Sequence, residues 1–210
     1  MGRRPKALGR GGRKSPEKRR VLVYCEDACA GRQYFQGLRA DLRFHPVQIA
    51  IGEGCGEPLG LARDAVAHRQ RAPLSPADRR SAHDEVWCVI DVESPPHARL
   101  QDALTLAREE DIRVALTNPC FDLWILLHFA DVTAHVLPRA LQKRIEKETA
   151  CGFTAQHKHL RYEALDGLHQ AAAGRAEAIR RRAEQMGRCD PLTANPWVDI
   201  DRMVAELRRG

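Results

Sequence analysis

The sequence lacks the segments that would take a protein into or across a membrane. None of its apolar runs approaches the roughly 20 residues that a membrane-spanning helix needs. The N-terminal residues are basic, but no apolar segment follows them, so they do not form a secretory signal. We therefore expect a cytoplasmic protein that has no membrane partner.

The sequence also lacks the cysteine patterns of disulfide frameworks and zinc sites. Its seven cysteines are an odd number, and no Cys-x-x-Cys motif occurs. Cys25, Cys88 and Cys120 lie in apolar runs, which favours reduced and buried thiols in a reducing compartment. A zinc site assembled from Cys29, Cys55 and a histidine would match no known ligand spacing.

A net positive charge is lacking beyond the first 20 residues. That segment holds nine Lys and Arg and one Glu, a net charge of +8, whereas the whole chain carries +6. Residues 21–210 therefore carry the difference, −2. The segment is rich in Gly and Pro, which predicts a tail that is disordered when free. It either aids solubility or neutralises phosphates of a nucleic acid. The candidate phosphate contacts are Arg3, Arg4, Arg10, Arg13, Lys14, Arg19 and Arg20.

Strand and helix patterns alternate along residues 21–135. The connections between successive strands exceed a dozen residues, so we expect a mainly parallel sheet with helices on both faces. No internal repeat is present. Beyond this α/β core, residues 136–210 predict a helical extension packed on it. The predicted strands cover 21–25, 46–51, 85–93 and 112–116, and the C-terminal helices cover 138–148, 162–187 and 199–209.

The strand at 85–93 ends in two carboxylates. Asp91 and Glu93 point the same way on an extended chain, roughly 6–7 Å apart. Glu26 follows the first strand and so lies at the same edge of a parallel sheet, where open α/β sheets bind ligands. Carboxylates clustered there suit Mg²⁺ or Mn²⁺ and phosphoryl chemistry, in which Glu26 assists proton transfer or a second ion. Strand ends are commonly polar, so spacing alone does not decide between catalysis and a solvated edge.

A buried helix is predicted to start at Asn118. Asparagine at the N-cap and Pro119 at the first helical position are a strong start signal, and the residues up to Phe129 are apolar nearly all round. Asn118 is either this cap or a group that meets a phosphate. Asp122 either complements the helix dipole or belongs to an active site. His128 is either a core histidine or a catalytic one.

Three successive arginines lie on the helix predicted at 162–187. Such a run is usually a solvated helix face, and the alternative is contact with nucleic acid. Arg180 and Arg181 are the candidates for that contact.

Several of these segments together resemble the RloB-like family. The resemblance covers about residues 21–210, and its most specific part is the Asn-Pro-Cys-Phe sequence that starts at Asn118. The segments that carry it are Val21–Glu26, Tyr34-Phe35, Asp91–Glu93, Asn118–Phe129 and Asn195-Pro196.

The resemblance implies a Toprim-like fold and a Mg²⁺-dependent nuclease. It matches Glu26 to the Toprim glutamate, and Asp91 and Glu93 to the Asp-x-Asp pair. It also implies RNA or DNA as substrate, transfer RNA included, a role in anti-phage defence, and an ATPase partner called RloA. This sequence departs from the family pattern, because Ala28 and Gly31 stand where further acids are usual. That departure puts a second metal ion in doubt.

Two alternatives to a nuclease stay open. One is a non-catalytic subunit that binds nucleic acid or a partner through the basic tail and the arginine helix. The other is a regulatory switch that binds a nucleotide at the acidic edge. The sequence also leaves open assembly with further copies of the chain.

Overall fold

The fold was analysed in a computed structural model that describes residues 18–53, 56–71, 82–154 and 157–209. Within these ranges the chain forms five strands and seven α-helices, in mixed order along the sequence. The predicted α/β class is confirmed, and the arrangement is compatible with a Toprim-like fold.

One sheet of five strands organises the molecule, in the order β2-β1-β3-β4-β5. The first four strands pair in parallel, and the short fifth strand is antiparallel to β4. The strands are β1 (Arg19–Cys25), β2 (Val47–Ile51), β3 (Glu85–Asp91), β4 (Arg113–Asn118) and β5 (Trp197–Val198).

The central strands are buried on both faces. Val21 and Val23 of β1 belong to the core on one face, whereas Leu22 and Tyr24 belong to the core on the other. β3 alternates in the same way. Burial on both sides is why these strands appear in the sequence as continuous apolar runs.

Helices cover the two faces unequally. Two of them supply the smaller core, and five supply the larger one. The first group is α2 (Pro58–Gln70) and α3 (Leu100–Glu109). The second group is α1 (Ala30–Asp41), α4 (Asp122–Leu127), α5 (Pro138–Glu148), α6 (His169–Gln185) and α7 (Ile200–Arg209), with short 3₁₀ turns at Leu42–Phe44 and Tyr162–Leu165. None of the described helices has the length and apolar character needed to cross a membrane.

The sheet begins earlier than predicted. The backbone N–H of Arg19 donates to Pro46 O at 2.9 Å, and Arg20 pairs with Gln48 in the sheet. These two arginines are therefore strand residues and not part of a tail. The other basic candidates lie outside the described residues: Arg3, Arg4, Arg10, Arg13 and Lys14.

The C-terminal region is more than a helical extension, because it completes the sheet. Trp197 and Val198 form β5 against the end of β4. Asn195 precedes this strand and does not cap the last helix. Its side chain accepts from the backbone N–H of Val136 and donates to Val136 O, both at 3.0 Å. Asparagine followed by proline is a local helix-start signal, and at Asn195 pairing between distant segments overrides it.

Candidate active site

The carboxyl ends of β1, β3 and β4 lie side by side at one edge of the sheet. The register places Cys25 beside Val89 and Asp91 beside Thr117. Glu26 follows β1, and its backbone N–H donates to Val89 O at 3.0 Å. Glu26 Oε2 in turn accepts from the backbone N–H of Asp91 at 3.0 Å. Parallel strand pairing thus brings the side chain of Glu26 into hydrogen-bond contact with the backbone of Asp91.

Asp91 is oriented by the neighbouring strand. The hydroxyl of the fully buried Thr117 donates to Asp91 Oδ1 at 2.6 Å. Burial raises the pKa of Asp91 well above its ordinary value of 3.8, and the Thr117 hydrogen bond opposes that rise. The nearby carboxylates of Glu26, Asp27 and Asp122 raise the pKa of Asp91 further. This repulsion shows that several acids converge on Asp91.

Glu26 has a pKa suited to proton transfer near neutral pH. Burial is the main reason that its pKa rises from 4.5 to about 7, and the hydrogen bond from Asp91 N–H opposes the rise. The charges of Glu93, Glu57 and Asp27 add to it. A carboxyl group with such a pKa exchanges its proton readily at neutral pH.

Asp122 joins these acids from the start of α4. Its side chain is fully buried. Asp122 Oδ2 lies 3.1 Å from Lys158 Nζ and accepts from Gln142 Nε2 at 3.3 Å. Asp122 Oδ1 is buried and has no hydrogen-bond partner in the described part of the chain. Burial raises the pKa of Asp122, and Lys158 opposes that rise. The side chain therefore does more than complement a helix dipole.

Two members of this group, Asp27 and Lys158, were not predicted from the sequence. Asp27 Oδ1 accepts from the backbone N–H groups of Cys29 at 2.9 Å and Gly31 at 3.0 Å, which fixes it at the start of α1. Asp27 Oδ2 lies 3.2 Å from Lys158 Nζ. Asp27 directly follows Glu26, and this position at the end of the first strand could have identified it as a further acid of the site. Lys158 lies in an irregular segment far along the chain, and nothing local indicated it.

We call Glu26, Asp27, Asp91 and Asp122 the carboxylate cluster. The prediction that the strand stays extended as far as Glu93 is wrong, although the charge of Glu93 still acts on Glu26. β3 ends at Asp91, and Glu93 has a φ of 65° and an exposed side chain. The N–H of Glu93 donates to Pro119 O at 2.8 Å. The backbone turns at Glu93, so the spacing expected for an extended chain does not apply.

Asn118 is the last residue of β4 and does not cap the helix. α4 begins only at Asp122. Asn118 pairs with Trp197 of β5, and its Nδ2 donates to Pro191 O at 3.0 Å. Its side chain is buried and already hydrogen-bonded. The prediction that Asn118 caps the helix is therefore wrong, because Asn118 pairs with β5, a strand that the local sequence does not reveal.

His128 packs in the core. Its Nδ1 lies 2.9 Å from Trp124 O, and its ring centroid is 4.7 Å from that of Trp124. His169 is a further ring neighbour, at 6.1 Å. Burial lowers the pKa of His128 to about 4, so the ring is neutral at neutral pH. None of these contacts involves the carboxylate cluster, and the geometry favours a core histidine.

Two of the predicted nucleic-acid contacts are engaged within the fold. Arg180 is buried and pairs with Asp201 through two bonds, Nη1–Oδ1 at 2.7 Å and Nη2–Oδ2 at 2.6 Å. Arg19 Nη1 lies 3.4 Å from Glu85. The prediction that Arg180 faces a ligand is therefore wrong, because the helix buries it against α7. Arg181 is exposed on the same helix.

The side chains of the cluster fit a hard divalent cation in chemistry. All of the candidate metal ligands in the cluster are carboxylate oxygens, which Mg²⁺ and Mn²⁺ prefer. Glu26 and Asp91 form no ion pair within the described ranges, and Asp122 Oδ1 is an orphaned acceptor. As the described side chains stand, no three His, Cys, Asp or Glu groups form a ready metal site. Lys158 lies between two of the carboxylates.

Comparison with known proteins adds one match. A family model described as RloB-like protein covers residues 21–207, which include the whole carboxylate cluster and Lys158. Neither a curated protein nor a solved structure matches the chain significantly.

Proposed function

The chain belongs to the RloB-like protein family, as the sequence resemblance predicted, and from this premise we propose that it is a metal-dependent nuclease. The reaction is hydrolysis of phosphodiester bonds in RNA or DNA. The observation that carries the proposal is the hydrogen bond that joins Glu26 to Asp91 at the carboxyl edge of the sheet, with Asp122 linked to Asp27 there through Lys158. Active sites of open α/β folds are built at this edge.

Two side chains have distinct roles in this proposal. Asp91, held by the Thr117 hydroxyl, and Glu26 are the groups that would hold Mg²⁺ or Mn²⁺. When bound, the ion supplies a Lewis acid for the phosphoryl group and for the water that attacks it. An oxygen of Glu26 that does not hold the ion would accept the proton of that water.

The biological setting is proposed from the family resemblance. We assign the chain to anti-phage defence as a nuclease effector, controlled by an ATPase partner, with transfer RNA among its substrates. Residues 1–17, which hold six Lys and Arg and one Glu, support a nucleic acid over a small phosphoester, because they can neutralise several backbone phosphates.

The test is a cleavage assay on the purified full-length chain. Labelled transfer RNA, single-stranded RNA and duplex DNA are incubated with Mg²⁺, Mn²⁺ or EDTA. Asp91→Asn and Glu26→Gln keep the shape of each side chain, and each should lower the metal-dependent rate by about 100-fold or more. Glu109→Gln, an exposed acid on α3, is the matched control and should retain activity. Equal rates for wild type, Asp91→Asn and Glu26→Gln would refute a nuclease centred on these acids.

The second candidate is a binding subunit without catalysis. The observations that favour it are the exposed side chain of Glu93, where the backbone leaves the extended conformation, and the neutralisation of Asp27 and Asp122 by Lys158. In that case nucleic acid would bind with the same affinity in Asp91→Asn as in wild type, and no cleavage would appear with either metal ion.

A further inference from the structure

Lys158 places a positive charge between two buried acids. Its Nζ lies 3.1 Å from Asp122 Oδ2 and 3.2 Å from Asp27 Oδ2. The two carboxylate side chains are 0% and 6% exposed, whereas the lysine side chain is 30% exposed. The ammonium group therefore bridges the acids and still reaches solvent at the edge of the sheet.

Two hydrogen bonds of the residues that follow Lys158 hold its segment in place. The backbone N–H of Leu160 donates to Gln33 Oε1 of α1 at 2.6 Å, and Leu160 is buried. The next residue, Arg161, donates its N–H to Cys151 O at 2.8 Å. The ion pairs are thus part of a segment anchored to α1 and are not a chance contact of a surface lysine.

The four acids of the carboxylate cluster divide into two pairs. Asp27 and Asp122 share the charge of Lys158. Glu26 and Asp91 are linked by a hydrogen bond from the Asp91 backbone, and neither forms an ion pair with the residues that the structure describes. One half of the cluster has its cation, and the other half lacks one.

There is also no room for an acid at position 31, near the start of α1. A Cβ atom on Gly31 would lie 2.5 Å from Cys25 Sγ and 3.2 Å from Asp27 Cβ. Any side chain at position 31 would collide with the end of β1. The cluster therefore has few carboxylates to share between two divalent ions.

We propose that Lys158 supplies the second positive charge of the site, in the place of a second metal ion. This inference rests on the proposed function. One divalent ion is held by Glu26 and Asp91, while the ammonium of Lys158 stays on Asp27 and Asp122. An ammonium group has three N–H donors. Two of them face the carboxylates, and the third is available to an oxygen of the substrate phosphate.

The test counts metal ions rather than turnover. Mn²⁺ is titrated into the metal-free full-length chain, and stoichiometry is measured by calorimetry and by electron paramagnetic resonance. We expect one Mn²⁺ per chain for wild type. Lys158→Ala vacates Asp27 and Asp122 and should bind two, and the double variant Lys158→Ala with Asp122→Asn should return to one. Lys158→Arg keeps the charge and should stay at one.

The outcomes separate this inference from the proposed function. Two ions in wild type, or one ion in Lys158→Ala, overturn the role of Lys158 and leave a metal-dependent nuclease intact. No Mn²⁺ binding by wild type, together with no cleavage, overturns both. Circular dichroism checks that Lys158→Ala is folded. If it is not, Lys158→Gln, which keeps most of the stem without the charge, should show the same gain of one ion.

Discussion

Glu26→Gln should stabilise the metal-free protein, and only above acidic pH. The pKa of Glu26 rises from 4.5 to about 7 on folding, chiefly through burial. The native state therefore binds more protons than the unfolded state between these values, and stability falls as pH rises through that window. The cost is absent below about pH 4.5 and complete above about pH 7.

The size of this effect follows from the shift in pKa. A rise from 4.5 to about 7 corresponds to about 3–4 kcal/mol at about 1.4 kcal/mol per pH unit. Glu26 is only partly buried, and solvent screening reduces the expected cost to about 2 kcal/mol. Glutamine keeps an oxygen to accept from the Asp91 N–H but carries no charge, so the variant avoids the cost.

The assay is urea unfolding in EDTA, followed by tryptophan fluorescence, at intervals from about pH 5 to about pH 8. The free energy of unfolding of Glu26→Gln should exceed that of wild type by less than about 1 kcal/mol near pH 5 and by about 2 kcal/mol near pH 8. Glu109→Gln should show no such divergence, since Glu109 is exposed. A constant difference across this range, or a variant less stable than wild type at pH 8, would refute the reasoning.

Three further predictions concern the fold and the tail. Arg180→Met should lower the free energy of unfolding by about 3–5 kcal/mol, because it leaves Asp201 buried without its partner; Arg181→Met on the same helix is the control and should change it little. Gly31→Ala should lower the free energy of unfolding by about 1–3 kcal/mol, because the added methyl group overlaps Cys25 Sγ. The control, Gly174→Ala on α6, has open space and should be neutral or stabilising by up to about 1 kcal/mol. Equal urea midpoints for the two variants would contradict the packing at α1. Deletion of residues 1–17 removes six Lys and Arg, so the affinity for RNA, measured by fluorescence anisotropy, should depend less steeply on salt concentration. Cleavage of a short substrate should persist. An unchanged salt dependence would show that the tail makes no phosphate contacts.

Features fixed by local pattern were predictable from the sequence. β1 and β3 appear as apolar runs because both of their faces are buried. Glu26 and Asp91 follow directly from that assignment, since parallel strands share a carboxyl edge. The family resemblance rested on these same segments.

Features that depend on distant pairing were not predictable. β5 is only Trp197–Val198, too short to show a period, and it takes Asn118 away from its expected cap role. Arg180 is one of three adjacent arginines, and only the fold shows that it faces Asp201. Lys158 is 131 residues from Asp27 along the chain, so no spacing rule relates the two.

The most direct test of the account is to locate the metal ion. Crystals of the full-length chain would be soaked in Mn²⁺, and anomalous diffraction data would be collected at the manganese absorption edge. The account predicts one anomalous peak per chain, within bonding distance of the carboxylates of Glu26 and Asp91, with the Lys158 ammonium still on Asp27 and Asp122. An anomalous map without a peak at these carboxylates, or with the only peak elsewhere on the surface, would contradict it.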